Sequence, residues 1–300
     1  MHTIGIKMDP RIQRHPLGYL EVVEKPDRAA LRYYYAEKYF QQEAGNYRTT
    51  YSAEELNYIE NKLVQKRARV EAIRGAGRGR LLDVGCGEGF ALAHFLRAGR
   101  EVEGLDYSSA GVKAMNPGCE NALHCGDVME LMEEKYSRGE TYDLIWITNV
   151  LEHLPDPPAM MRIMRSLVGN GGLAVITVPN DFSALQKRII DAGQVEHPYW
   201  VAIPDHLAYF DRDSLLALAQ DTGWRCHDVL ADFPIDWFLF HPGSNYVRDR
   251  TAGGGAHRAR IAIENLVGAQ PVNLVNNFYS AMAAVGFGRD ITAFLSPAGK

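Results

Sequence analysis

The sequence predicts an α/β protein built on a mostly parallel sheet covered by helices. From residue 80 onward short apolar runs alternate with helical segments, glycine-rich turns follow the runs, and acidic residues stand at their ends. The expected strands are Arg80–Val84, Glu101–Asp106, Ala122–His124, Tyr142–Thr148 and Leu173–Val178, rich in the aliphatic residues that suit strands buried on both faces. Helices near Glu88–Ala98, Ser109–Met115 and Pro158–Leu167 connect them. In the last, Met160, Ile163, Met164 and Leu167 recur at i, i+3, i+4 and i+7, the spacing of a core stripe rather than of a ligand box. Gly169 and the Gly171-Gly172 pair are expected to end it.

Outside this core the pattern changes. Residues 1–79 read as a helical arm, with tyrosines gathered between Tyr33 and Tyr58 and a helix from about Ser52 to Ile73 opened by a Ser52/Glu55 capping box. Its cations Lys62, Lys66, Arg67, Arg69 and Arg74 read as a solvated face in preference to an anion site. Residues 80–232 form the core, closing with a helix at Asp213–Thr222, Gly223 and a strand around Arg225–Leu230. Residues 233–300 hold a long insertion and a last strand at Ile291–Leu295. An insertion too long for a turn either shapes a substrate pocket or adds core or a dimer face.

Charge and composition exclude several classes. The 300 residues carry 32 Lys+Arg against 37 Asp+Glu, with no cationic excess to neutralise a phosphate backbone or a lipid surface. No apolar run approaches the roughly 18 residues of a membrane span, and the first residues lack the apolar core of a signal peptide, so a cytoplasmic location is expected. Cys86, Cys119, Cys125 and Cys226 show no metal spacing and read as reduced thiols.

The strongest chemical signal is LLDVGCGEGFALAHF at Leu81–Phe95, where a buried strand breaks into glycines and then a helix. Gly85, Gly87 and Gly89 let a ligand lie against backbone. The third glycine of a dinucleotide fingerprint would fall at Phe90, and Asp83 ahead of the loop would repel a pyrophosphate while suiting a cation. Asp106, ending the next strand, suits ribose hydroxyls, and Asp127 in HCGDVM suits an adenine amino group. A cationic adenosine ligand satisfies all three acids.

In LLDVGCGEG, VEGLDYS, CGDV, YDLIWITNVLEHLPDP and GNGGLAVITVPN the chain resembles class I S-adenosylmethionine-dependent methyltransferases, in the branch of ubiquinone-type O-methyltransferases, over about residues 80–180. The segment DHLAYFDRDSLLALAQDTGW resembles what those enzymes carry after the fifth strand. The resemblance implies a Rossmann-like seven-stranded sheet with an N-terminal helical lid and a C-terminal insertion. It also implies S-adenosylmethionine as donor and S-adenosylhomocysteine as product. Carried onto matching positions, Asp83, Gly85, Cys86, Gly87 and Gly89 hold the methionine end, Asp106 with Tyr107 the ribose, and Asp127 with Val128 the adenine edge. Asn149 and Val150 line the methyl-donor cleft. The C-terminal NYVRDR, AHRAR and GRDITAF resemble methyltransferases of bacterial polysaccharide and secondary-metabolite clusters, which makes a sugar or glycan the preferred acceptor.

Methyl transfer from a sulfonium is an in-line displacement, favoured by alignment and by exclusion of water. A hydroxyl acceptor must also lose a proton, and His153 and His206 are the candidate bases, with His197 a third and Glu152 an orienting group. Each histidine can equally serve as a packed residue that satisfies a backbone carbonyl. The related Glu-x-x-Glu-His metal arrangement lacks its first acid, replaced by Asn149, and no metal is expected. Tyr47 and Tyr51, with Tyr39 around Gly45, are expected to close over the cofactor, while Tyr33 to Tyr35 pack in the core. Trp237, Phe238 and Phe240 read as interior packing, an acceptor wall or a membrane-contact patch. N- or C-methyl transfer, a cofactor-binding subunit without turnover, and a nicotinamide oxidoreductase remain alternatives, the last opposed by Asp83 and Phe90. The expected partners are a small-molecule or glycan acceptor and a second copy of the chain docked through the extension, with no nucleic acid.

Overall fold

The computed structural model describes residues 9–26 and 50–299. Near the N-terminus β1 (Ile12–Arg14) and β2 (Leu20–Val22) form an antiparallel hairpin, closed by Gly18 at φ 94° with its N–H on the His15 carbonyl. The expected all-helical arm is therefore corrected over these residues. Ile12, Leu20 and Val22 bury their side chains against Phe182, Trp200, Leu207 and Tyr209, a distant core that short-range periodicity does not reveal. The capping box holds, with Ser52 and Glu55 bonded reciprocally, and opens α1 (Ala53–Arg74).

The central sheet follows. Its elements are β3 (Arg80–Val84), α2 (Phe90–Arg97), β4 (Glu101–Asp106), α3 (Ala110–Met115), β5 (Leu123–Cys125), α4 (Val128–Ser137), β6 (Tyr142–Thr148), α5 (Pro157–Leu167) and β7 (Val168–Pro179). Then come α6 (Ala184–Asp191), β8 (Ala208–Tyr209), α7 (Arg212–Asp221), β9 (Trp224–Ala231), α8 (Gly253–Gly268), α9 (Val272–Ala284) and β10 (Asp290–Pro297). Seven strands lie in the order β5-β4-β3-β6-β7-β10-β9, with β10 antiparallel to both neighbours. A second sheet, β1-β2-β8, stands apart. Gly169, Gly171 and Gly172 lie inside β7 rather than in a turn, because the strand starts directly after α5 at Val168.

Strand order reverses between β3 and β6. Such a switch point leaves a crevice outside the carboxyl ends of the strands, where open α/β sheets bind ligands. The glycine loop after β3 and the Asn149-Val150 corner after β6 both open there. Helix α1 covers the sheet beside β7, and α8 packs along α1 through Lys62–Glu264 at 2.8 Å and Asn61–Asn265 at 3.1 Å. The residues between β9 and β10 are thus helical cover over one side of the crevice. No described helix is long and apolar enough to cross a membrane.

Candidate active site

A cavity of about 950 Å³ occupies the crevice and continues under α1. Its first half is built by loop residues that the parallel strands deliver to one edge. Gly85 and Gly87 hold φ of 71° and 54°, which glycine adopts without a Cβ clash. A Cβ on Gly85 would come within 2.3 Å of Val150 Cγ2, so the two loops touch and only glycine fits. Asn149, at φ 53°, turns the chain at the end of β6 and directs its N–H to the Thr177 carbonyl.

The acids predicted from sequence meet here. Asp83 lines the cavity with 3% of its surface exposed, and burial followed by the nearby Asp106 pushes its carboxyl up to about 8. Among the described residues no donor bonds that carboxylate. It is an uncompensated acid at a wall, suited to a ligand cation. Asp106 accepts the Gly87 N–H at 2.8 Å and the Ser108 N–H at 3.1 Å, and burial raises it despite these bonds. Asp127 caps α4 through the Met129 and Glu130 N–H groups and receives the Tyr107 hydroxyl at 2.9 Å. Cys86, Tyr107 and Val128 line the same half. Gly89 adjoins it as the N-cap of α2.

Tyr51 also faces this half, its hydroxyl donating to Glu88 at 2.8 Å and its ring edge-on to Phe90 at 5.5 Å. Tyr47, Tyr39 and Tyr33 to Tyr35 lie outside the described residues.

The three histidines separate. His153 lines the cavity, and His197 is exposed away from it. His206 does not line it but packs edge-on against His153 at 4.9 Å. Glu152 is likewise off the cavity wall, its carboxylate 3.8 Å from His153 Nε2 and pushed well above the carboxylate range by burial. The His153 Nδ1–H donates to the Asp205 carbonyl at 2.7 Å when the lone pair sits on Nε2. Burial holds His153 below the usual imidazole range, with Asp205 opposing, and holds His206 down at about 3. The small sheet fixes this corner. Leu207 donates its N–H to the Glu152 carbonyl and accepts from Val22 on β2. Ligand atoms of Glu152, His153 and His206 lie within 4.8 Å of one another, a spacing that a divalent ion can use.

The second half of the cavity escaped sequence reasoning. Lys62 and Lys66 of α1 line it with Tyr58, Gln65, Trp146, Thr177, Leu230, Asp232, Arg260, Asp290 and Thr292. The expected solvated face of α1 is corrected at these two lysines, because α8 and the sheet enclose that side of the helix. Their i, i+4 spacing beside the buried Leu63 and Val70 was a usable signal; no local pattern marks Arg260, Asp232 or Asp290. Trp237, Phe238 and Phe240 line no part of the cavity, and the expected interior packing is corrected for Trp237 and Phe240, which are exposed, Trp237 with its ring edge-on to Phe233 and Phe287.

A sheet with this order, a glycine loop after its first parallel strand and acids at the ends of the next two define a class I S-adenosylmethionine-dependent methyltransferase. The profile of Methyltransf_23, a methyltransferase domain, matches residues 53–229, and the chain belongs to that family. A ubiquinone biosynthesis O-methyltransferase of Ralstonia nicotianae is 32% identical over 170 residues, 52% of this chain and 70% of that protein. One of Shewanella is 27% identical over 157 residues, 50% of this chain and 65% of that protein, so the match spans slightly under two thirds of the latter's length. A SAM-dependent methyltransferase of Archaeoglobus fulgidus is a structural relative at 18% identity and a TM-score of 0.47, with 78% of this chain and 93% of that one covered.

Proposed function

We propose that the protein transfers the methyl of S-adenosylmethionine to a hydroxyl oxygen of a small polyhydroxylated acceptor, a sugar alone or within a glycan or glycolipid. The observation that carries this is the second half of the cavity. Its lining combines acids (Asp232, Asp290), cations (Lys62, Lys66, Arg260) and hydroxyls (Thr177, Thr292) with the rings of Tyr58 and Trp146. A sugar offers many groups that both donate and accept, and such a mixed lining can satisfy them, while aromatic rings cover its C–H face.

S-adenosylmethionine, when bound, supplies a methyl on a positively charged sulfur. Asp83 fits the cationic end, Asp106 the ribose hydroxyls, and Asp127 with Val128 the adenine edge. Gly85 and Gly87 allow contact with backbone. His153 takes the acceptor proton on Nε2, the nitrogen left basic by the bond from Nδ1 to Asp205. Tyr51 and Pro26 stand at the cavity wall, and closure there excludes water from the displacement.

A phenolic acceptor is the second reading, favoured by the ubiquinone O-methyltransferase relatives. The charged lining of the second half is a poor match for a prenyl tail, which needs an apolar channel. The test is incubation of the full chain with S-adenosylmethionine and a panel of sugars and catechols, followed by mass analysis. A sugar that gains one methyl supports the first reading; methylated catechols alone reject it.

A further inference from the structure

Lys66 and Arg260 enter the cavity from different helices, and neither lies within ion-pair distance of a carboxylate among the described residues. Lys66 donates to Thr177 Oγ1 at 3.0 Å, and that hydroxyl is shared with Thr292 Oγ1 at 2.9 Å. Arg260 lies over the Tyr58 ring at 5.2 Å, with its Nε buried and without a hydrogen-bond partner among the described residues. A half-buried cation with no carboxylate in contact keeps hydrogen-bonding capacity that a ligand anion can take up.

The neighbouring charges complete it only in part: burial opposes the charge on Arg260 while Tyr58, Asp232, Asp290 and Glu264 hold it above the ordinary guanidinium range, yet none of these carboxylates is in ion-pair contact with Lys66 or Arg260 among the described residues. Lys62 and Glu264 neutralise each other at 2.8 Å, with Glu264 also receiving the Tyr279 hydroxyl and the Phe233 N–H. Asp232 spends Oδ1 on the Arg289 and Asp290 N–H groups. Burial, then Asp290 and Glu264, push its carboxyl up to about 7, so a large fraction of it is neutral at physiological pH. Asp290 is left facing two cations. Lys66 is itself held down at about 8, by burial first and then by Lys62, with Asp290, Asp232 and Glu264 opposing.

We infer that the acceptor carries an anionic group, a carboxylate or a phosphate, which Lys66 and Arg260 hold in the part of the cavity lined by α1 and α8. Together with the sugar reading, on which the choice of ring rests, this makes the acceptor an acidic sugar: a uronic acid or a sugar phosphate. Lys66, tied to Thr177 beside the end of β6, then fixes which hydroxyl reaches the methyl.

The test is calorimetric titration of the full chain saturated with S-adenosylhomocysteine. The probes are glucose, glucuronate, glucose 6-phosphate, inorganic phosphate and 3,4-dihydroxybenzoate. Glucuronate or glucose 6-phosphate should bind at least about tenfold more tightly than glucose, which also tells the carboxylate from the phosphate. Lys66→Met and Arg260→Met should each erase that difference, and Lys66→Arg should retain it, with S-adenosylhomocysteine binding intact as proof of folding. At pH 8 binding should take up protons, because the anion raises Lys66 and Asp232, and Lys66→Met should reduce the uptake. Dihydroxybenzoate binding alone with the same dependence on Lys66 and Arg260 upholds the anion site and rejects the sugar. Glucose binding as tightly as its acidic counterparts overturns the anion site and leaves the sugar reading standing. Failure of every anion to bind, or binding indifferent to both substitutions, overturns the inference.

Discussion

The Gly87 N–H donates to Asp106 Oδ2 at 2.8 Å, so the acid that ends β4 also ties down the glycine loop that follows β3. Its Oδ1 holds the Ser108 N–H. Asp106 thereby shapes the loop before any ligand arrives and keeps its remaining lone pairs for the cavity. Asp106→Ala removes both functions and should weaken S-adenosylhomocysteine binding by at least about tenfold. Asp106→Asn should lose much of the same affinity, because one of the two N–H groups then faces an NH₂. Calorimetry of both variants checks this, and unchanged affinity in the alanine variant would remove Asp106 from the cofactor site.

Gly85 and Val150 make the second contact between the loops. In Gly85→Ala the new Cβ meets Val150 Cγ2 at 2.3 Å, and the residue must also hold φ 71°. The variant should lose cofactor affinity and thermal stability. Adding Val150→Ala should recover the steric part only, leaving a backbone strain of about 1–2 kcal/mol. Thermal midpoints of the two variants separate these contributions, and a Gly85→Ala protein as stable as the parent refutes the packing.

The parallel strands were legible because short apolar stretches recur between glycine turns and helical segments, and Arg80–Val84, Glu101–Asp106 and Tyr142–Thr148 carry the expected bounds. The acids at their ends were legible through position alone. The hairpin Ile12–Val22 was not, since its strands are three residues long and its third partner is Tyr209, far along the chain. The part of the cavity lined by Lys66 and Arg260 failed for a related reason. The Lys62 and Lys66 spacing beside Leu63 and Val70 marks a packed side of α1, but what packs there, Glu264 of α8 on Lys62 and Thr177 of the sheet on Lys66, is set by tertiary docking that no local pattern writes.

With the ligand ammonium placed at Asp83 as proposed, cofactor binding should be a proton-linked event. Its carboxyl rises from 3.8 to about 8 on folding, so neutral Asp83 supports the ligand-free protein at low pH, and that support is lost as pH rises through about 8. A ligand ammonium reverses the preference by favouring the carboxylate. S-adenosylmethionine binding at pH 7 should therefore release protons, measurable as a heat that depends on the buffer. Asp83→Asn should abolish the release, weaken binding, and flatten the decline of the ligand-free thermal midpoint with rising pH. Release that persists in Asp83→Asn would assign the proton elsewhere.

His153 is the group whose removal should separate turnover from binding. Because burial holds it below the ordinary imidazole range, with Asp205 opposing, kcat should rise with pH and level off at lower pH than an unperturbed imidazole base would give. His153→Ala should lower kcat by roughly 10²–10⁴ with S-adenosylhomocysteine affinity kept. His206→Ala should cost less, since His206 supports the ring of His153 without reaching the cavity. The nearby triad supplies the competing explanation, a metal held by Glu152, His153 and His206. Burial keeps the Glu152 carboxyl protonated well above its ordinary range, so a dication must first displace that proton. Treatment with EDTA should accordingly leave kcat unchanged. Loss of activity restored by Mg²⁺ would turn His153 from a base into a ligand, and its pH profile would then report metal binding rather than proton transfer from the acceptor.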